Sequence, residues 1–166
     1  DIPRFVAAAR EHPRALILGN RDLASAGAGR GSTIGRSNSN FWTWVITGER
    51  LSDTQTGYRC YPVGELHALH LRCTGYDFEV EVIVRASWSQ LPLRSIPIPV
   101  RYFKGDERVS HLHPFWDFLR IGRLNARLVA MRLCLPAPYL RLRSRRRFAE
   151  QPFLRRWRET FEELLI

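Results

Sequence analysis

Leu51-Ser52-Asp53-Thr54-Gln55-Thr56-Gly57-Tyr58-Arg59-Cys60-Tyr61-Pro62 sets a carboxylate and a guanidinium six residues apart, on either side of a Thr-Gly hinge. It then runs into an alternating aromatic segment, a pattern that suits a strand. Such a loop can hold a charged ligand while the strand behind it stays rigid. Asp53 and Arg59 have two readings. One is a carboxylate that acts as a base or lies near a metal, with an arginine gripping phosphate. The other is an ordinary salt bridge across a turn.

Upstream of this stretch, residues 2–14 carry Ile2, Phe5, Val6 and Ala9 at helical spacing, and His12-Pro13 ends that helix. Ala15 to Leu18 is a short apolar run leading into Gly19-Asn20-Arg21-Asp22, the pattern of a buried strand. Ligands of open α/β sheets sit beyond the carboxyl ends of strands, which places Arg21 and Asp22 well to touch one. Residues 24–35 are small, Gly-rich and without periodicity, so a loop is expected; the spacing matches no Walker motif. Phe41, Trp44, Val45 and Ile46 predict a helix over 37–47 that stops near Gly48, with Arg30 and Arg36 flanking its start.

Downstream, helices are expected over 63–71 and 76–88, the second with Phe78, Val82, Ile83 and Ala86 inward. Glu79 and Glu81 then fall on different faces, so one at most enters a site; either one alone also reads as a solvated carboxylate or as one paired to Arg85. Residues 93–103 alternate as a strand, but Pro97 and Pro99 suit an edge or a bulge. Lys104 to His111 is a polar loop whose Arg108, Ser110 and His111 form a compact anion-binding set. Residues 115–133 predict a long helix with a row of Arg120, Arg123 and Arg127, closed by Pro136 and Pro138. A basic run from Arg141 to Arg147 leads into an amphipathic tail with Trp157 and Phe161. His67 and His70 lack a partner at metal spacing and read as packing or surface residues.

The chain has 166 residues, enough for one domain with a core, and a formal charge of +10. Of its 26 basic residues only Lys104 is a lysine. Arginine suits bidentate capture of phosphate or carboxylate, although a compositional bias of the genome gives the same excess. No apolar run approaches the roughly 20 residues that cross a bilayer, and Asp1-Ile2-Pro3-Arg4 does not open a signal peptide. Three cysteines without CxxC spacing predict reduced thiols in a cytosolic compartment. The aromatics follow the apolar faces rather than interleaving with the arginines, which argues against a nucleic-acid platform and for an anionic leaflet.

Four segments in series resemble the family 2 glycosyltransferases, in the branch similar to dolichyl-phosphate mannose synthase and bacterial polyprenyl-phosphate sugar transferases. Leu18-Gly19-Asn20-Arg21 is similar to the family's Gly-x-Arg after a strand. Asp53 to Arg59 is similar to its Asp-x-x-x-Gly-Phe-Arg, and Gly75 to Glu81 to its Gly-Tyr-x-Phe-x-x-Glu. Ile96 to Val100, with residues 105–111, is similar to its Val-Pro-Ile strand and acceptor loop.

The resemblance covers about residues 1–133 and implies an α/β fold: the carboxyl-terminal part of a GT-A (nucleotide-diphospho-sugar transferase-like) domain, a mixed sheet flanked by helices. It leaves residues 134–166 unassigned, and their own pattern reads as a basic amphipathic helical tail. It implies that Asp53 is the catalytic aspartate, and that Arg21, Arg36, Arg59, Glu79, Arg108, Ser110 and His111 bind substrate. His111 stands where relatives usually carry lysine, which makes its charge depend on pH. The family's divalent metal (Mg or Mn) and its Asp-x-Asp belong to a donor half expected before Asp1, so no metal set is expected within this chain. The implied partners are a nucleotide-diphosphate sugar, a lipid-phosphate acceptor and an anionic membrane surface met by the Arg-rich helix and tail. The implied location is the cytoplasmic face of the cell membrane. The rival reading is a non-enzymatic basic module that binds anionic lipid or nucleic acid.

Overall fold

A computed structural model describes residues 1–23, 27, 29–100 and 114–144. The chain is mixed α/β: among the described residues it has six helices and one three-stranded mixed sheet.

Helix α1 (Ile2–Glu11) carries Pro3 in its first turn, which a fixed φ and missing N–H suit, and stops at His12 because Pro13 follows. Strand β1 (Leu16–Arg21) is the centre of the sheet. Leu16, Ile17 and Leu18 are fully buried, as the unbroken apolar run predicts. β2 (Arg59–Cys60) lies antiparallel on one side of β1, and β3 (Leu93–Ile98) lies parallel on the other, from Leu16↔Leu93 to Arg21↔Ile98. The parallel register brings Arg21 and Ile98 out at the same end. Among the described residues β3 is an edge of the sheet, so Pro97 sits where a proline is tolerated. Gly19 lets the three strands close up: a Cβ there would stand 2.6 Å from Ile98 Cδ1 and 3.0 Å from the Tyr58 carbonyl oxygen.

Helix α4 (Asp77–Trp88) follows the short α3 (Val63–Ala68) and is buried along Val80 to Ala86 on all sides. Val82, Ile83 and Ala86 pack on Leu16 and Leu18 of the sheet. The opposite face, Val80, Val84 and Trp88, packs on Ile46 of α2 (Arg30–Thr47), Leu124 and Leu128 of α5 (Pro114–Cys134) and Leu140 of α6 (Ala137–Ser144). Burying each such side chain contributes about 1.5–3 kcal/mol. On the far side of the sheet Ile17 and Ile98 meet Phe5 of α1. The layers thus run α1, sheet, α4, then α2 with α5 and α6. α6 lies beyond the boundary drawn at 133, yet Leu140 and Ser144 are buried and the Ser144 carbonyl accepts the His70 N–H.

Three differences from the sequence expectation have physical causes. α2 begins at Arg30, not near 37, and absorbs Gly31 and Gly35. Its polar side chains bond to β1 and to the 52–54 loop, and such tertiary bonds override weak glycine propensity. Its stop is as expected: Gly48 takes φ +81°, and its N–H closes on Trp44 O. Second, most of the apolar residues that mark this helix in the sequence do not face the core. On this part of α2 only Thr43 and Ile46 are buried, while Phe41, Trp42, Trp44 and Val45 are exposed. Third, α3 ends at Ala68 rather than 71, and the described part of the third strand ends at Ile98 rather than running to 103.

Candidate active-site cleft

Asp53 is held under the carboxyl end of β1. Its side chain is 0% exposed, and it accepts Arg21 Nε at 2.6 Å and Arg21 Nη2 at 2.9 Å, a bidentate fork. The Arg21 and Gln55 backbone N–H groups each add a bond at 3.2 Å. The two residues are 32 positions apart in the chain. The loop itself is fixed from α2. Asn40 Oδ1 accepts Thr54 N–H and Oγ1–H, Asn40 Nδ2 donates to Ser52 O, and Thr54 Oγ1 lies 2.8 Å from Ser39 Oγ. Arg36 Nη1 donates to Arg21 O at 2.9 Å. Beside these groups lies an open cleft of about 450 Å³ lined by Asn20, Arg21, Asp22, Leu23, Arg36, Ser52 and Pro97. It opens at the carboxyl ends of β1 and β3, where α/β sheets hold ligands.

Arg59 does not pair with Asp53 across the hinge, and it does not face the cleft. Its side chain is 1% exposed. Its Nε donates to Thr56 O, Nη2 to Thr54 O and Nη1 to Glu79 O, with Glu79 Oε2 3.5 Å away. Where a phosphate contact was expected, Arg59 is committed to protein carbonyls: it staples those of Thr54 and Thr56 to α4. A guanidinium has five N–H donors in a rigid fork, well matched to three converging carbonyls.

Glu79 and Glu81 part company as their spacing predicts. Glu79, 32% exposed, stays on the loop side. Burial pushes its carboxyl above the ordinary 4.5; Arg59 and Arg21 pull the other way, and Asp53 adds to the rise. Glu81 is wholly buried on α4. Burial would raise it too, but the Arg72 and Cys73 N–H groups and Arg85 outweigh that and hold it below the ordinary value. Cys73, next to it, is pushed above the ordinary thiol range by burial and then by Asp77 and Glu81, which makes it a poor nucleophile. The three cysteines are free thiols.

The structure thus brings Arg21 and Arg36 together at the cleft, keeps Asp53 buried behind Arg21 rather than in the lining, and sets Glu79 and Arg59 behind the loop. Arg108, Ser110 and His111 lie outside the described residues, as does the tail from 145. Among the described residues no group of three or more His, Cys, Asp or Glu side chains could hold a metal ion. Sequence reasoning missed Ser39 and Asn40, which clamp the loop. The one available signal was a polar run, Ser37 to Asn40, inside a helix otherwise marked by aromatics. No protein-family model matches this sequence, and no curated protein or solved structure is significantly similar to it.

Proposed function

We propose that this chain is the acceptor side of a GT-A glycosyltransferase of family 2, one that passes a sugar from a nucleotide-diphosphate donor to a polyprenyl or dolichyl phosphate. The observation that carries the reading is the buried Asp53, bound by two backbone N–H groups and forked by an Arg21 that lines a strand-end cleft. In this reading Arg21 and Arg36 draw the acceptor phosphate into the cleft, and an acceptor oxygen attacks the anomeric carbon as the nucleotide diphosphate departs. A phosphate monoester is largely ionised at neutral pH (second pKa about 6) and needs no strong base. Asp53, already committed to Arg21, orients that guanidinium and balances its charge rather than abstracting a proton. Among the described residues no group of three or more His, Cys, Asp or Glu could hold a divalent cation, and in this reading the donor half supplies both the sugar nucleotide and its metal.

The test is Asp53→Asn in the complete protein, with transfer from a panel of labelled nucleotide sugars to polyprenyl phosphate as the readout. Transfer should be abolished while salt-sensitive binding to anionic surfaces persists; surviving transfer overturns the site. The 166 residues alone should not turn over, and a measurable rate from them would overturn the half-domain reading. The exposed Arg120, Arg123 and Arg127 of α5 favour one rival, a basic module on anionic lipid, whose binding would be indifferent to Asp53→Asn.

A further inference from the structure

Helix α2 wears its amphipathicity inside out. Its polar side chains Arg36, Ser39, Asn40 and Thr43 turn toward β1, the Asp53 loop and the core. Its apolar ones face solvent: Ile34 is 67% exposed and Phe41 52%, with Trp44, Val45 and Trp42 also open. Ile34, Phe41, Trp44 and Val45 fall at i, i+7, i+10 and i+11, which is one face of a helix. The rings gather rather than scatter. Phe41 lies 5.4 Å from Trp42 and 6.1 Å from Trp44, and the Arg50 guanidinium sits 6.0 Å over the Trp44 ring. A contiguous aromatic face of this kind on a soluble surface marks an interaction site.

We infer that this face of α2 is a docking surface for an anionic lipid bilayer, inserting its aromatic rings at the headgroup boundary. Charge and residue type select that occupant. α2 carries no acidic residue, Arg50 rims the patch, and the whole chain has a charge of +10. Tryptophan with phenylalanine beside arginine is the composition of interfacial segments. Among the described residues no helix is long and apolar enough to cross a membrane, so the contact is with the surface. It would set the cleft, on the other side of α2, about one helix diameter (~10 Å) from the leaflet. That gives α2 itself a part in entering the lipid, beside the arginine row of α5. The inference bears on the lipid acceptor of the proposed reaction, but it stands on α2 alone.

The experiment uses the 166-residue chain and vesicles of equimolar phosphatidylglycerol and phosphatidylcholine, with and without bromine on the acyl chains. Expected are sedimentation with the vesicles and bromine quenching that is mostly lost in a Trp42→Phe, Trp44→Phe double variant. Phe41→Ser with Val45→Ser should weaken binding about tenfold or more, with an unchanged circular dichroism spectrum. Replacing Arg120, Arg123 and Arg127 by glutamine should flatten the salt dependence yet keep the quenching. The inference fails if the serine variant binds as well as the parent, if bromine does not quench the wild-type chain, or if light scattering shows a dimer that the same serine substitutions dissolve. Asp53→Asn should bind vesicles normally, so failure here is distinct from failure of the transferase reading.

Discussion

Arg21–Asp53 and Arg85–Glu81 are the same two functional groups at nearly the same distance, 2.6 and 2.8 Å between Nε and a carboxylate oxygen. Their surroundings separate them. Glu81 and Arg85 sit one turn apart on α4, 1% and 2% exposed, and bind only protein: Glu81 also accepts Arg72 and Cys73 N–H, and Arg85 reaches Arg143 O. That pair ties the 70–73 loop and α6 to α4. Asp53 is equally buried, but Arg21 is 21% exposed and lines the cleft. A pair sealed on both sides is structural. A pair with its carboxylate sealed and its arginine half in a cleft is a preset cation.

The largest expected effect tests the sealed pair. Glu81→Leu should cost about 3–5 kcal/mol in chemical denaturation, because it strands a buried guanidinium. Adding Arg85→Met should restore only part of it, since the Arg72 and Cys73 N–H groups stay unpaired. Full restoration would show that the pair, not the capping of that loop, is what matters. Next comes Gly19→Ala, which presses a methyl on Ile98 and the Tyr58 carbonyl. It should cost about 1–3 kcal/mol and loosen the strand contact below the Asp53 loop. Asp53→Asn should lose about 1–2 kcal/mol, less than Glu81→Leu, because Arg21 can turn to water. Equal losses at the two carboxylates would break the comparison.

The smallest effect is in pH dependence, where the neighbours Glu79 and Glu81 should act with opposite sign. Glu81, held low, contributes stability that is complete above its ordinary 4.5 and lost as pH falls through its lowered value. Glu79, held high, binds its proton more tightly in the folded chain, so its contribution falls as pH rises from 4.5 through the raised value. Denaturation of Glu79→Gln across pH should match the parent at the acid end and equal or slightly exceed it near neutrality. A less stable variant near neutrality would mean that the Arg59 contact outweighs burial at that carboxylate.

Local features were readable from residue order. Pro13 and Gly48 stop their helices by backbone geometry, and the run Ala15 to Leu18 could only be a buried strand. Glu79 and Glu81, two apart on a helix, had to diverge. The site was half readable. Asp53 and Arg21 were both named, but Asp53 had been matched to Arg59, its near neighbour in sequence. The true partner comes from a strand 32 residues away, a distance that no local spacing encodes. Arg59 was read as a ligand group because arginine types do not announce whether carbonyls or phosphates will meet them.

The sequence by itself determined the order of most helices and strands, though not the start of α2, because periodicity, proline and glycine act over a few residues. It also singled out Asp53 and its arginines as the candidate chemistry-bearing groups. Only the tertiary structure decided which arginine holds Asp53, which one is buried as a staple, and that α2 turns its polar side inward. Those outcomes depend on what each face meets. The Asp53 loop offers α2 hydrogen-bond partners that leave its polar residues satisfied inside, and the aromatic stripe is left outside by default.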